Sequence, residues 1–163
     1  MCYLIAYSFA MSLGVIQTSW TIAGNNATAP VLIELFKWSE EQAIWYNTLI
    51  NTCAMFGLAI GSITAGYSLK HGRNKAIIIW EIVPVIGCAL TQVQTLPTIC
   101  VGRLLIGVAA GVLNTCSAKS IDESVPLHLQ GMFGASTNLM LNTGIMISLA
   151  LGFILPTDPV MQA

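Results

Sequence analysis

The sequence predicts an all-α membrane protein, and three observations predict it. Charged residues make up 8% of the chain and hydrophobic residues 55%, where a soluble domain carries about 25% charge; the mean hydropathy is +0.76. The uncharged runs are long: the first charge is Glu34, none falls between Glu41 and Lys70, and none between Glu123 and Asp158. Each run exceeds the roughly 20 residues that cross a hydrocarbon core as a helix. The bases crowd together, with Lys70, Arg73 and Lys75 supplying three of the six Lys and Arg. Backbone groups in lipid must bond within the segment or around a closed barrel, and continuous apolar runs without alternation select helices.

Five spans are expected, near 3–23, 44–68, 76–95, 98–118 and 131–154. The first run has no basic leader and no small-residue cleavage site opening onto a soluble domain, so it reads as a retained span. The second and third are joined by Gly66–Lys75, read GYSLKHGRNK. Bases gathered in a short loop mark the cytoplasmic side, which places the N-terminus inside. The 24–43 connection carries Glu34, Lys37, Glu40 and Glu41; it is net acidic and is expected to face outward, as is the uncharged 93–97 turn. Trp20, Trp38 and Trp45 then lie near the outer interface, where aromatic residues collect. Asn26-Ala27-Thr28 is a glycosylation sequon on the same face.

The remaining chemistry is sparse. Cys2, Cys53, Cys88, Cys100 and Cys116 are scattered, with no CxxC pair and no histidine at ligand spacing, so they read as small packing residues and not as a disulfide or metal site. Gly57-x-x-x-Gly61 and Gly107-x-x-x-Gly111 permit close helix contact within one chain. Glu81, Arg103 and Lys119 lie at or inside spans, where each charge is costly unless paired. Arg103 falls near the outer leaflet, and Glu81 and Lys119 fall toward the cytoplasmic side, where they can pair. His71 and His128 read as solvated loop residues. Nothing forms a catalytic constellation, phosphate loop or metal spacing, so neither an enzyme nor a cofactor is expected. Six bases spread over membrane loops exclude nucleic-acid binding.

Sliding span two along span five at a constant offset brings Asn47 onto Asn138, Asn51-Thr52 onto Asn142-Thr143, Met55 onto Met146 and Gly61 onto Gly152. A fainter echo links Gly14-Val15-Ile16-Gln17-Thr18 of span one to Gly111-Val112-Leu113-Asn114-Thr115 of span four. With the expected orientations such a repeat is inverted, the construction of many secondary transporters. Chance similarity between apolar helices is the other explanation.

The loop Gly66–Lys75 resembles the signature between helices two and three of the major facilitator superfamily, with Gly66, Gly72, Arg73 and Lys75 matched. It is one residue short and lacks an acid before Gly72. Val101-Gly102-Arg103-Leu104-Leu105-Ile106-Gly107 with Gly111 resembles the fourth helix of the sugar porter branch. Glu123, Pro126 and Gly131 match the branch's E-x-x-P-x-x-x-R-G pattern, with Gln130 in place of the arginine. Ser12-Leu13-Gly14-Val15-Ile16 is similar to its first helix. The motifs run in order across nearly the whole chain. The resemblance implies that residues 1–163 are a partial N-terminal transmembrane domain: about five helices of a six-helix bundle built from inverted three-helix repeats, lacking the C-terminal half of the transporter.

Further implications concern single residues. The helix-five position that contacts sugar in the family falls on Asn138, and Asn142 lies one turn on along the same face. Carboxamides there can bond either a sugar hydroxyl or neighbouring helices. Gln17 either lines the path near the outer mouth or packs. Arg73 and Glu123 match positions in a cytoplasmic charge cluster that closes the inner gate; Arg103 is the remaining gating candidate. Proton-coupled members carry an Asp where this chain has Ser12, which implies facilitated transport. The resulting expectation is a uniporter of a sugar or similar small polar solute, embedded in a bilayer and working by alternating access. The alternative is a non-transporting polytopic membrane scaffold or sugar sensor.

Overall fold

The computed structural model describes residues 14–24, 29–30, 32–33, 36–93 and 95–154. Among the described residues there is helix and no strand. Helical residues 14–24 (α1) are followed by α2 (Glu40–Ser68), a 3-10 turn (Leu69–His71), α3 (Arg73–Thr91), α4 (Leu96–Ser124) and α5 (Leu127–Ile154).

Local chemistry sets the ends. Gly72 follows the 3-10 turn at φ 102°, a conformation that costs glycine little and other residues much. The reversal lets α3 start at once, and the Trp80 indole N–H donates to Ser68 Oγ at 3.0 Å, tying α3 back to the end of α2. Pro97 stands in the first turn of α4, where its missing N–H is no loss. At the other end Pro126 disfavours helix in the residue before it; Val125 is accordingly extended, at φ −105° and ψ 134°, and α4 stops.

Helix α4 is the hub. Gly57 of α2 lies against Leu104 and Gly61 against Val108, so α2 and α4 run the same way. The contact is mutual, since Gly107 meets the Ala54 carbonyl and Gly111 the Leu58 carbonyl. The two small-residue motifs expected to allow close packing are thus each other's partners. Helix α3 crosses the opposite way: a Cβ on Gly102 would stand 2.8 Å from the Gly87 carbonyl, while Ile77 and Trp80 pack on a core of Ala65, Val112 and Cys116. Helix α1 also runs antiparallel to α4, with Thr18 beside Ala110 and Gly14 beside Ser117. Two loops, 69–72 and 125–126, therefore share one end of the bundle, and the turn at Gln92 and Val93 lies at the other.

Large apolar side chains face outward on several helices, among them Ile63, Ile82, Val85 and Met146. Such faces are rare on soluble monomers and suit lipid. Among the described residues, Glu41–Ser68 and Leu96–Ser124, of 28 and 29 residues, are long and apolar enough to cross a bilayer. That is two of the five expected spans; α3 has 19 residues and α5 is one continuous helix of 28 residues.

Candidate functional site

Helix α5 carries the polar face the sequence pointed to. Asn138 and Asn142 are both exposed on it, one turn apart, with Gly131, Ala135 and Met146 continuing the exposed strip. Their carboxamides make no hydrogen bond to the described residues. Thr143 beside them satisfies its hydroxyl on the Leu139 carbonyl at 2.7 Å, as Thr52 does on Thr48 in α2. Each carboxamide offers both a donor and an acceptor on this exposed face.

The rest of α5 is held by α1. Ser19, fully buried, donates its hydroxyl to the Leu141 carbonyl at 2.7 Å, a shorter contact than the 3.2 Å to Val15 in its own helix. Gly144 makes room for this crossing, since a Cβ there would come within 2.7 Å of the Ser19 Cβ. On the α4 side, Thr18 donates to the Ala110 carbonyl at 3.3 Å. Two consecutive hydroxyls therefore bond α1 to two different helices. Sequence reasoning missed both, because Ser and Thr inside helices ordinarily bond their own turn. Gln17, next to Thr18, is half-buried and makes no side-chain hydrogen bond to Asn138 or Asn142. Ser148 is a third residue that sequence gave no sign of: its hydroxyl is buried on α5 without a partner.

The expected charge cluster divides between the two ends. Arg73 begins α3 and Glu123 lies in the last turn of α4, both at the end that carries the 69–72 and 125–126 loops. Glu123 is exposed and engaged in an interaction there. Gln130, standing where the family has arginine, donates to the Asp122 carbonyl at 2.7 Å and closes the α4–α5 corner. Lys70, at the same end, sits 5.7 Å from the centre of the Tyr67 ring, a cation–π contact. Arg103 stands apart from these groups: twenty helical residues before Glu123, it is roughly 30 Å away along α4. It is half-buried and lies near Cys88 of α3. Glu81 and Lys119 are both exposed and form no ion pair among the described residues. At Arg103's end, Trp38 packs 4.9 Å from both Phe36 and Tyr46, and Trp20 and Trp45 are exposed. Asn26 and Ser12 lie outside the described residues.

A family model described as "Sugar (and other) transporter" matches residues 7–158. The chain belongs to the sugar transporter family. Among curated relatives, Hexose transporter 1 of Toxoplasma gondii is 27% identical over an alignment of 158 residues that covers 90% of this chain and 28% of that protein. Solute carrier family 2, facilitated glucose transporter member 8, of Bos taurus is 29% identical over 150 residues, 91% of this chain and 30% of that one. The galactose-proton symporter of Escherichia coli K12 is 27% identical over 150 residues, 89% and 30%. This sugar transporter segment therefore spans under a third of the length of these relatives, and membership carries an integral membrane location. The names include both a facilitated carrier and a proton symporter.

Proposed function

We propose that this segment forms part of a carrier for a sugar or similar small polar solute, working as a uniporter by alternating access. The observation that supports the proposal is the polar strip on α5: Asn138 and Asn142 are exposed one turn apart, with no side-chain hydrogen bond seen among the described residues, in a chain that matches the family over residues 7–158. Unsatisfied amides facing hydrocarbon are costly, so this face belongs against a water-filled path completed by a second helical bundle. In the proposal Asn138 and Asn142 bond solute hydroxyls, and Gln17 lines the mouth. The N-terminus is cytoplasmic, the two halves of this bundle are inverted repeats, and Asn26 is the glycosylation site. Arg73 and Glu123, near one end, set the inner gate, while Arg103 anchors or gates the opposite end. Ser12, in place of the acid found in proton-coupled members, supports uniport.

The test is Asn138→Ala in the full-length protein at the membrane. The expected outcome is about a tenfold loss of hexose affinity, or about 1.4 kcal/mol, with expression and melting unchanged. An unchanged affinity in folded protein refutes the assignment.

A further inference from the structure

The sequence presents the cysteines as unrelated packing residues, but the structure brings two of them together. Cys53 of α2 and Cys100 of α4 each stand four residues, about one helical turn, before the Gly57–Leu104 contact. The helices run parallel and touch backbone to backbone there, so the same face of each, one turn earlier, still looks at the other. The register that sets Gly57 against Leu104 and Gly107 against Ala54 makes the two cysteines neighbours across the same seam. Both residues are half-buried, whereas Cys88 is exposed on α3 and Cys116 is buried. A disulfide needs Cα atoms roughly 4.4–6.8 Å apart, a spacing that ordinary helix pairs exceed and that a glycine-mediated crossing approaches.

We propose that Cys53 and Cys100 form a redox-linkable dithiol, which a membrane-soluble hydroperoxide converts to a disulfide joining α2 to α4. One sulfur attacks the peroxide oxygen; the O–O bond breaks, the alcohol leaves, and the attacking cysteine becomes a sulfenic acid. The second sulfur then attacks that sulfur, the S–S bond forms, and water carries away the hydroxyl and the remaining proton. Two thiols are oxidised by two electrons and one hydroperoxide is reduced to alcohol and water. The oxidant class follows from the site, since the exposed apolar side chains Leu49 and Phe56 stand about one helical turn before and after Cys53 on α2 and favour a lipid-soluble reagent. Because the glycine contacts already hold the helices together, the bond closes without separating them.

The test uses cumene hydroperoxide on the protein in membranes, followed by alkylation, proteolysis and mass spectrometry. The proposal expects alkylation of Cys53 and Cys100 to be lost together. Their peptides appear as one linked species lighter by two hydrogens, and dithiothreitol restores both. In Cys53→Ser, Cys100 gives a sulfenic acid trapped by dimedone and no link; Cys88→Ser leaves the link intact. Persistent alkylation of both thiols in wild-type protein whose Cys88 has been oxidised overturns the proposal, and so does a link that joins two copies of the chain.

Discussion

Helices α2 and α5 carry the same polar residues at the same spacing and use them differently. On α2, Asn47 and Asn51 are half-buried and engaged, and Gly57 and Gly61 are pressed against the α4 backbone. On α5, Asn138 and Asn142 are exposed and make no side-chain hydrogen bond seen among the described residues, and Gly131 and Gly134 meet nothing within 4 Å. Gly144, against Ser19, is a close contact. Without a hydrophobic drive between helices in lipid, α2 gains its hold from backbone proximity. Helix α5 is held by a buried hydroxyl and leaves one face open. The difference teaches that a polar residue in a membrane helix becomes a site only where packing does not consume it.

The largest effect that would break this contrast is at the glycines. Gly57→Leu forces a side chain into the Leu104 carbonyl and is expected to destabilise the bundle by about 3 kcal/mol. Gly131→Ala enters open space and should stay within about 0.5 kcal/mol. Denaturant titration in detergent micelles checks both, and equal costs at the two positions would erase the distinction. Asn47→Ala should lower stability by about 1 kcal/mol, the usual worth of a satisfied polar interaction, whereas its counterpart Asn138→Ala should leave melting unmoved. Smaller still is Ser19→Ala, which removes the bond to Leu141 and should cost about 0.6 kcal/mol, typical of hydrogen bonds between membrane helices. A double-mutant cycle cannot reach a backbone acceptor, so Ser19→Thr, which keeps the hydroxyl, serves as the comparison.

How much of this was legible beforehand depends on whether a property lives on one helix or between two. The reversal at Gly66–Lys75 could be read from its residues, and so could the ability of Gly57-x-x-x-Gly61 and Gly107-x-x-x-Gly111 to pack closely. That the two motifs face each other could not be read, because partner choice is a tertiary property. Periodicity put Asn138 and Asn142 on one face but could not say whether that face is covered. Thr18 and Ser19 looked like Thr48 and Thr52, which bond within their own helix; only the approach of α4 and α5 redirects them. Cys53 and Cys100 are separated by a helix and two turns in sequence, so no spacing rule could pair them. Glu81 and Lys119 show the converse: a pairing suggested by depth along the helices that their exposed positions do not make.

The central claim is that the α5 strip faces a water-filled path while its α2 counterpart is packed. The most direct measurement introduces Asn138→Cys and, separately, Asn47→Cys into full-length protein lacking its native cysteines. Each is then labelled in intact membranes with a charged, water-soluble thiol reagent, with and without hexose. The account predicts rapid labelling after Asn138→Cys, slowed by hexose, and little labelling after Asn47→Cys. Equal protection of both positions from the aqueous reagent, or labelling after Asn138→Cys that hexose does not slow, would contradict it.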